Sequence, residues 1–204
     1  MKQHWDERFL REAYVYGKDA NQFIQEITPK ILPEGQLLAI AEGEGRNAFY
    51  LTKEAQENSR ELKIDLWDFS EVAIEKVEAR KGLLPIETFE VDLTKVDWKE
   101  NQYDAAICVY GHFDQAMQKQ IFKGLRKTVK DGGWIFGEVY SMEQLPYESG
   151  GPRNLDYLYS PQLFLEVFAD DFMKHFYLGE VYREEGLLHK GVCHVIQYAI
   201  QIRK

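Results

Sequence analysis

The stretch Leu37-Leu38-Ala39-Ile40-Ala41-Glu42-Gly43-Glu44-Gly45-Arg46-Asn47-Ala48 constrains this chain more than any other. An apolar run of five residues bounded by glycine suits a strand buried on both faces. Gly43 and Gly45 let the backbone turn sharply with no side chain in the way of a ligand, and the amphipathic segment Phe49 to Ala55 continues as a helix. A helix start presents free N–H groups, so this turn is expected to attract anionic or polar ligand groups. An ordinary strand-to-helix turn shares the outline, and two glycines two apart are weak evidence alone.

A second acidic position makes the pattern more specific. Leu62 to Asp68 reads as another strand, with Asp68 at its carboxyl end and Ser70 placed to cap the following helix. In doubly wound folds an acidic residue about 20 positions past the glycines accepts hydrogen bonds from ribose hydroxyls. Asp68 lies 23 positions beyond Gly45.

The rest of the chain supplies a sheet around these strands. An aromatic-rich arm runs from Trp5 to Tyr16, and Asp19 is expected to cap a helix bearing Phe23, Ile24 and Ile27, ended by Pro29 and Pro33-Glu34-Gly35. Helical spacing over Glu71 to Lys81 and Gln115 to Lys130 alternates with strands over Ile86 to Val91, Tyr103 to Tyr110 and Trp134 to Tyr140, the last following an Asp131-Gly132-Gly133 turn. A loop from Ser141 to Tyr159 precedes a helix begun by Ser160-Pro161. Two final strands, about Lys174 to Arg183 and Val192 to Ile202, are joined by Glu184 to Gly191, a link short enough to pair them antiparallel. The fold class is therefore α/β: a Rossmann-like, doubly wound, mostly parallel sheet with an antiparallel C-terminal pair. Residues 1–204 read as one domain with an N-terminal helical arm over about 1–34. Ligands of such sheets sit at the carboxyl ends of the strands, where Gly43, Gly45, Asp68, Asp92 and Tyr110 all fall.

Composition excludes several classes. A formal net charge of -9 disfavours nucleic-acid binding, which needs a basic footprint, and the basic face of the helix after Gln115 reads as solvated. No apolar run approaches the roughly 18 to 20 residues of a spanning helix. The charged start Met1 to Arg8 is unlike a signal peptide, and Cys108 and Cys193 sit in apolar runs as buried thiols, so a cytoplasmic location is expected. The five histidines and two cysteines show no ligand spacing, so no metal is expected.

Over nearly its whole length the chain resembles the class I S-adenosylmethionine-dependent methyltransferases, in particular the small-molecule branch that includes the tellurite-resistance methyltransferases. The resemblance lies in Glu42 to Ala48, Asp68-Phe69-Ser70 with Ala73-Ile74, Asp92-Leu93, Tyr103-Asp104 and Asp131-Gly132-Gly133. It extends to Trp5-Asp6-Glu7-Arg8-Phe9 with Tyr16-Gly17, to Gln144-Leu145 and Gly150-Gly151-Pro152, and to Glu184-Glu185-Gly186 with His189. The chain departs from the family at Ala39, where an acidic residue is common, at Ala41, where glycine is common, and at Glu42, where a small residue is common. The resemblance implies S-adenosylmethionine as cofactor, with Gly43 and Gly45 facing its methionine part, Asp68 its ribose, Phe69 and Asp92-Leu93 its adenine, and Tyr110 forming the floor. Tyr16, Arg46, Asn47 and Ser70 complete the implied set, and Glu42 or Glu44 is available to face the ammonium group.

The implied reaction transfers a methyl group to a small-molecule acceptor such as a thiol or chalcogen oxyanion, by a monomer or homodimer. His112, leaving the fourth strand, is the candidate general base, because imidazole titrates near neutrality. Arg8 is the candidate partner for a carboxylate or oxyanion, and His189 enters the pocket only if the final hairpin folds back. Two rivals stand beside this reading. Gly43, Gly45 and Ala48 also satisfy G-x-G-x-x-G/A, the pattern of a nicotinamide-dependent oxidoreductase. A non-catalytic ligand-binding module on the same fold is the other.

Overall fold

The computed structural model describes residues 2–10, 14–186 and 189–204, without the side chains of Lys2 and His4. The arm's middle, 11–13, and the hairpin residues Leu187 and Leu188 therefore lie outside the described residues. Leu37, Leu38, Ala39 and Ile40 have no solvent exposure. They belong to β1 (Gly35–Ile40), the centre of the parallel half, paired in parallel with β2 (Leu62–Asp68) on one edge and β4 (Tyr103–Cys108) on the other. Side chains alternate across a strand. Leu37 and Ala39 thus pack with α2 (Gln22–Ile31) and α3 (Arg46–Glu57), and Leu38 and Ile40 with α5 (Gln115–Thr128) and α6 (Pro161–Val167).

Adding β3 (Ile86–Glu90), β5 (Val129–Tyr140), β6 (Phe172–Glu185) and β7 (His189–Gln201) gives a seven-stranded sheet in the order β3-β2-β1-β4-β5-β7-β6. The first five strands run parallel, and β7 pairs antiparallel with both β5 and β6. The remaining helices are α1 (Lys2–Phe9) and α4 (Glu71–Lys81). Ser70 caps α4 as expected, accepting from the Ala73 N–H at 3.3 Å. Order reverses between β1 and β4, so a crevice opens at their carboxyl ends.

Local expectations needed correction in three places. Asn21, not Asp19, caps α2, and Pro29 lies inside that helix; the chain leaves it at Leu32, in left-handed conformation. Asp131-Gly132-Gly133 is not a separate turn, because β5 already begins at Val129, the Gly132 N–H donates to the Ile202 carbonyl and the Ile202 N–H donates to the Gly133 carbonyl. The closing strands also reach farther than their apolar pattern, to Glu185 and from His189, because polar residues at their tips pack inward against the rest of the molecule.

That inward packing is polar and charged. Glu138 of β5 is wholly buried and accepts hydrogen bonds from Arg183 Nε at 3.0 Å, Gln197 Nε2 at 2.8 Å and Asn21 Nδ2 at 2.9 Å, and from Arg183 Nη2 and the Tyr110 hydroxyl. Burial alone would raise its carboxyl, but the bonds and charge of Arg183 outweigh it and hold the carboxyl below the usual glutamate range. Breaking a buried pair by removing one partner costs about 3–5 kcal/mol. Arg183→Met is therefore expected to lower unfolding free energy by about that amount in urea denaturation at pH 7. Because the folded-state carboxyl of Glu138 is lowered, its contribution is complete above the ordinary glutamate value and is lost as pH falls through the folded one. The native and variant denaturation curves should accordingly converge in acid, and a difference that persists there would contradict the assignment.

Candidate functional site

The end of β2, with Asp68, and the turns past β3, β1 and β4, with Asp92, Glu42 and Tyr110, meet at one cavity of about 280 Å³. Asp68 organises its centre. Its Oδ2 accepts the Gly43 N–H at 2.7 Å and its Oδ1 the Ser70 N–H at 2.9 Å, which ties the glycine turn to the end of β2. Burial pushes the Asp68 carboxyl up and these backbone donors pull it down, with the first effect winning. A carboxylate offers about four acceptor positions, so Asp68 keeps capacity toward the cavity it lines. Gly43 adopts φ +59, and a Cβ there would lie 3.1 Å from the Phe9 ring. Ala41 also has positive φ, 49°, a conformation that favours glycine.

The start of α3 differs from the sequence expectation. Two of its first N–H groups, those of Asn47 and Ala48, do not stand open to a ligand, because Glu42 turns back and occupies them. Glu42 Oε1 accepts from the backbone of Asn47 at 2.8 Å and of Ala48 at 3.0 Å, and Oε2 accepts from Asn47 Nδ2 at 3.1 Å. Asn47 Oδ1 is in turn held by the Asn21 N–H at 2.9 Å. Glu44 points away from the cavity, to the Val15 N–H at 2.9 Å and Lys76 at 2.7 Å, so only Glu42 of the two glutamates lines it. Arg46 lines the cavity with its guanidinium anchored on Glu185 at 2.7 Å.

An aromatic wall closes the other end. Tyr110, at φ +52, stacks on Tyr140 with centroids 4.5 Å apart, and the His189 ring stands edge-on to Tyr110 at 4.7 Å. Tyr16 lies 4.7 Å from the same imidazole. His189 is 4% exposed and its Nδ1 has no hydrogen-bond partner. Burial first, and the neighbouring Arg46, His112 and Arg8 charges next, hold it well below the usual histidine range, so it is neutral at neutral pH. From the arm, Trp5 meets His112 at 5.1 Å and Phe9 meets Tyr16 at 6.4 Å.

Of the residues singled out from sequence, Tyr16, Gly43, Arg46, Asn47, Asp68, Phe69, Asp92, Leu93, Tyr110 and His112 line the cavity. Three stand behind it. Gly45 gives α3 room against Val77, Phe49 and Leu66, all within 3.3 Å of a would-be Cβ. Ser70 caps α4 and donates its hydroxyl to Asp6 at 2.6 Å. Arg8 donates to the Tyr16 hydroxyl at 2.9 Å and lies over the Trp5 ring. Trp67, Val109, Phe113 and Met117 line the cavity without having been singled out. Trp67, in β2, and Val109, just past β4, are apolar positions that read equally as core. Among the described residues, no group of three or more His, Cys, Asp or Glu is placed to hold a metal ion, and no helix is long and apolar enough to cross a membrane.

Residues 37–133, which span β1 to the start of β5, match a family described as methyltransferase domain. Sequence comparison finds no match among curated proteins. Among solved structures, the chain is similar to one described as converting a disulfide bond into a thioacetal group during echinomycin biosynthesis (13% identity, 100% of this chain and 92% of that one, TM-score 0.74). It is similar to a SAM-dependent methyltransferase from Anabaena variabilis (13% identity, 99% and 93% covered, TM-score 0.70). It is also similar to TehB from Haemophilus influenzae (15% identity, 99% and 67% covered, TM-score 0.69). Residues 37–133 thus match a methyltransferase domain, and the whole chain shares its fold with solved SAM-dependent methyltransferases.

Proposed function

We propose that this enzyme methylates a small-molecule nucleophile, held between the aromatic wall and the loop after β4. The observation that carries this reading is the lining of the cavity: Trp5 and Phe9 of α1 and His189 of β7 line the same 280 Å³ space as the glycine turn. Cofactor and acceptor must share it, which suits a small acceptor. The described elements from α1 to β7 then work as one unit, alone or as a homodimer.

The residues fit the cofactor. Gly43 supplies a turn without a side chain, Asp68 keeps acceptor positions for ribose hydroxyls, and Phe69 and Leu93 offer apolar surface to adenine beside Asp92. Asp92 is pulled down to about 2 by its bonds to Lys95 and Thr94 and so is ionised at neutral pH. Tyr110, fixed by Glu138, floors the methionine end, with Tyr16, Arg46 and Asn47 around it. When bound, the cofactor supplies an activated methyl group on a sulfonium; the chain supplies binding and orientation. Ser70 and Gly45 act from behind, by holding the turns in place, and Arg8 by fixing Tyr16.

The nicotinamide alternative meets a physical obstacle. A dinucleotide fold places the pyrophosphate on the N-terminus of the first helix. Here Glu42 already takes the Asn47 and Ala48 N–H groups and would repel a pyrophosphate. Proton transfer, where the acceptor needs it, falls to His112, since the low proton affinity of His189 makes it a poor base. An acceptor that arrives ionised needs only alignment, for which effective molarities on the order of 10⁵ to 10⁸ M are available.

Calorimetric titration is expected to show binding of S-adenosylmethionine and none of NAD. Hydrogen bonds to charged groups contribute roughly 1.5–3 kcal/mol, so Asp68→Ala should weaken S-adenosylmethionine about tenfold or more. An unchanged dissociation constant would remove Asp68 from the ribose site. A methylation screen over thiols, chalcogen oxyanions and larger substrates tests the acceptor class, and turnover confined to macromolecules would refute the small-molecule reading.

With an acceptor protonated at neutral pH, His112→Ala should lower turnover by roughly 10² to 10⁴ while S-adenosylmethionine binding holds. Turnover against pH for native and variant, with the acceptor's ionisation measured separately, checks this. A native profile that follows the acceptor alone, with the variant close to native, leaves a proximity mechanism. In the same titration the His189 imidazole, followed by NMR, should stay neutral down through its ordinary value of 6.5. Its lowered folded-state value means that stability is complete above 6.5 and declines as pH falls below it toward the folded value.

A further inference from the structure

Three adjacent strands each deliver one carboxylate to the cavity: Asp92 past β3, Asp68 at the end of β2 and Glu42 past β1, in the order in which the strands lie. S-Adenosylmethionine carries three donor groups in the same linear order: the exocyclic amine of adenine, the ribose hydroxyls and the α-ammonium of its methionine part. Resting on the cofactor placement proposed above, which puts adenine at Asp92 and ribose at Asp68, we propose that the Glu42 carboxylate receives the α-ammonium.

Charge accounting singles out this residue. Glu42 is 7% exposed, and its three hydrogen bonds come from neutral donors, two backbone N–H groups and the Asn47 amide. No described ion pair includes it. The other buried glutamates each have a cation: Glu44 has Lys76, Glu138 has Arg183 and Glu185 has Arg46. Arg46 is close enough to act on Glu42 by charge but is paired with Glu185, so this buried carboxylate has no cation bonded to it, a costly arrangement for which an ammonium in the cavity supplies the partner. Of about four acceptor positions on a carboxylate, three are filled, two of them on Oε1, so one remains on Oε2. Asn47, with its amide and backbone both on Glu42, acts here as a positioning residue.

The same geometry assigns a reason to the filled helix start. By taking the Asn47 and Ala48 N–H groups, Glu42 turns an end that would favour anions into one that favours a cation. Burial pushes the Glu42 carboxyl up, and Asn47, Ala48 and Arg46 pull it back. A bound ammonium acts in the same direction as those three.

Calorimetric titration of native protein and Glu42→Gln with S-adenosylhomocysteine and with its deaminated analogue tests the assignment without any turnover. Glutamine keeps an oxygen for the two backbone N–H groups and removes the charge. Native protein is expected to bind S-adenosylhomocysteine about tenfold or more tightly than the deaminated analogue, the increment for a hydrogen bond between charged groups, and Glu42→Gln to bind the two alike. Equal affinities in native protein overturn the proposal whether or not the variant folds. A native-sized preference retained in Glu42→Gln overturns it as well, since the ammonium then has another partner. If native protein binds neither ligand nor S-adenosylmethionine, the cofactor placement itself fails and this proposal with it; equal binding of both ligands fails the Glu42 assignment alone.

Discussion

The buried carboxylate of Glu138 is the constraint on which the site depends. It sits on β5, the last parallel strand, and gathers Arg183 from β6, Gln197 from β7, Asn21 from the start of α2 and Tyr110 from the end of β4. Each of those residues belongs to a different segment, so one charge fixes how the antiparallel pair and the arm meet the parallel half. The consequence reaches the cavity directly, because Tyr110 is its floor and Asn21 also holds Asn47. Buried ion pairs seldom add much net stability, since desolvation offsets attraction. What this one does is specify: an apolar substitute would remove the directional contacts that join Arg183 and Gln197 to β5, leaving Glu185, with Asn21 and Arg46, to orient the hairpin tip.

Charge elsewhere in the wall follows from the same economy. Arg46 and Arg183 answer Glu185 and Glu138, leaving Glu42 and Asp68 to face the cavity with backbone and amide donors only. Aromatic faces surround the far end. Rings attract cations through their quadrupoles, and carboxylates do so by charge. A wall built this way favours a ligand that is positive at its reacting end, as a sulfonium is, and disfavours a pyrophosphate.

The parallel strands were legible in the sequence because burial on both faces leaves uninterrupted apolar runs, as at Leu37 to Ile40 and Ala105 to Cys108. Asp68 and Gly43 stood out because a tight strand-to-helix turn needs residue types that strands and helices otherwise avoid. What escaped was polar and long-range. The tips of β6 and β7 carry Arg183, Glu185 and His189, whose burial depends on partners up to 164 positions away, as between Glu185 and Asn21. No local pattern announces that, and their polar character suggested a solvated hairpin. The α2 cap went to Asn21 over Asp19 for a related reason: its side chain serves Ile24 and Glu138 together. Glu42 was readable as a departure, but its return onto α3 is a matter of rotamer and burial that composition does not encode.

The two histidines have different surroundings at the proposed acceptor end. Both line the cavity, and both are imidazoles that titrate near 6.5 in isolation. His189 is packed among Tyr16, Tyr110 and Tyr140 with Arg46 close by, so a proton placed on it would be both desolvated and repelled. It is thereby suited to shape and orient. His112 leaves the sheet at the loop after β4, half-buried against the edge of Trp5, where the arm and the loop meet. A proton leaving an acceptor there has a shorter path to water than one leaving it beside His189. In the proposed reaction this packing favours alignment at His189 and proton traffic at His112, a division that would let one aromatic-walled cavity serve acceptors that arrive ionised as well as those that do not.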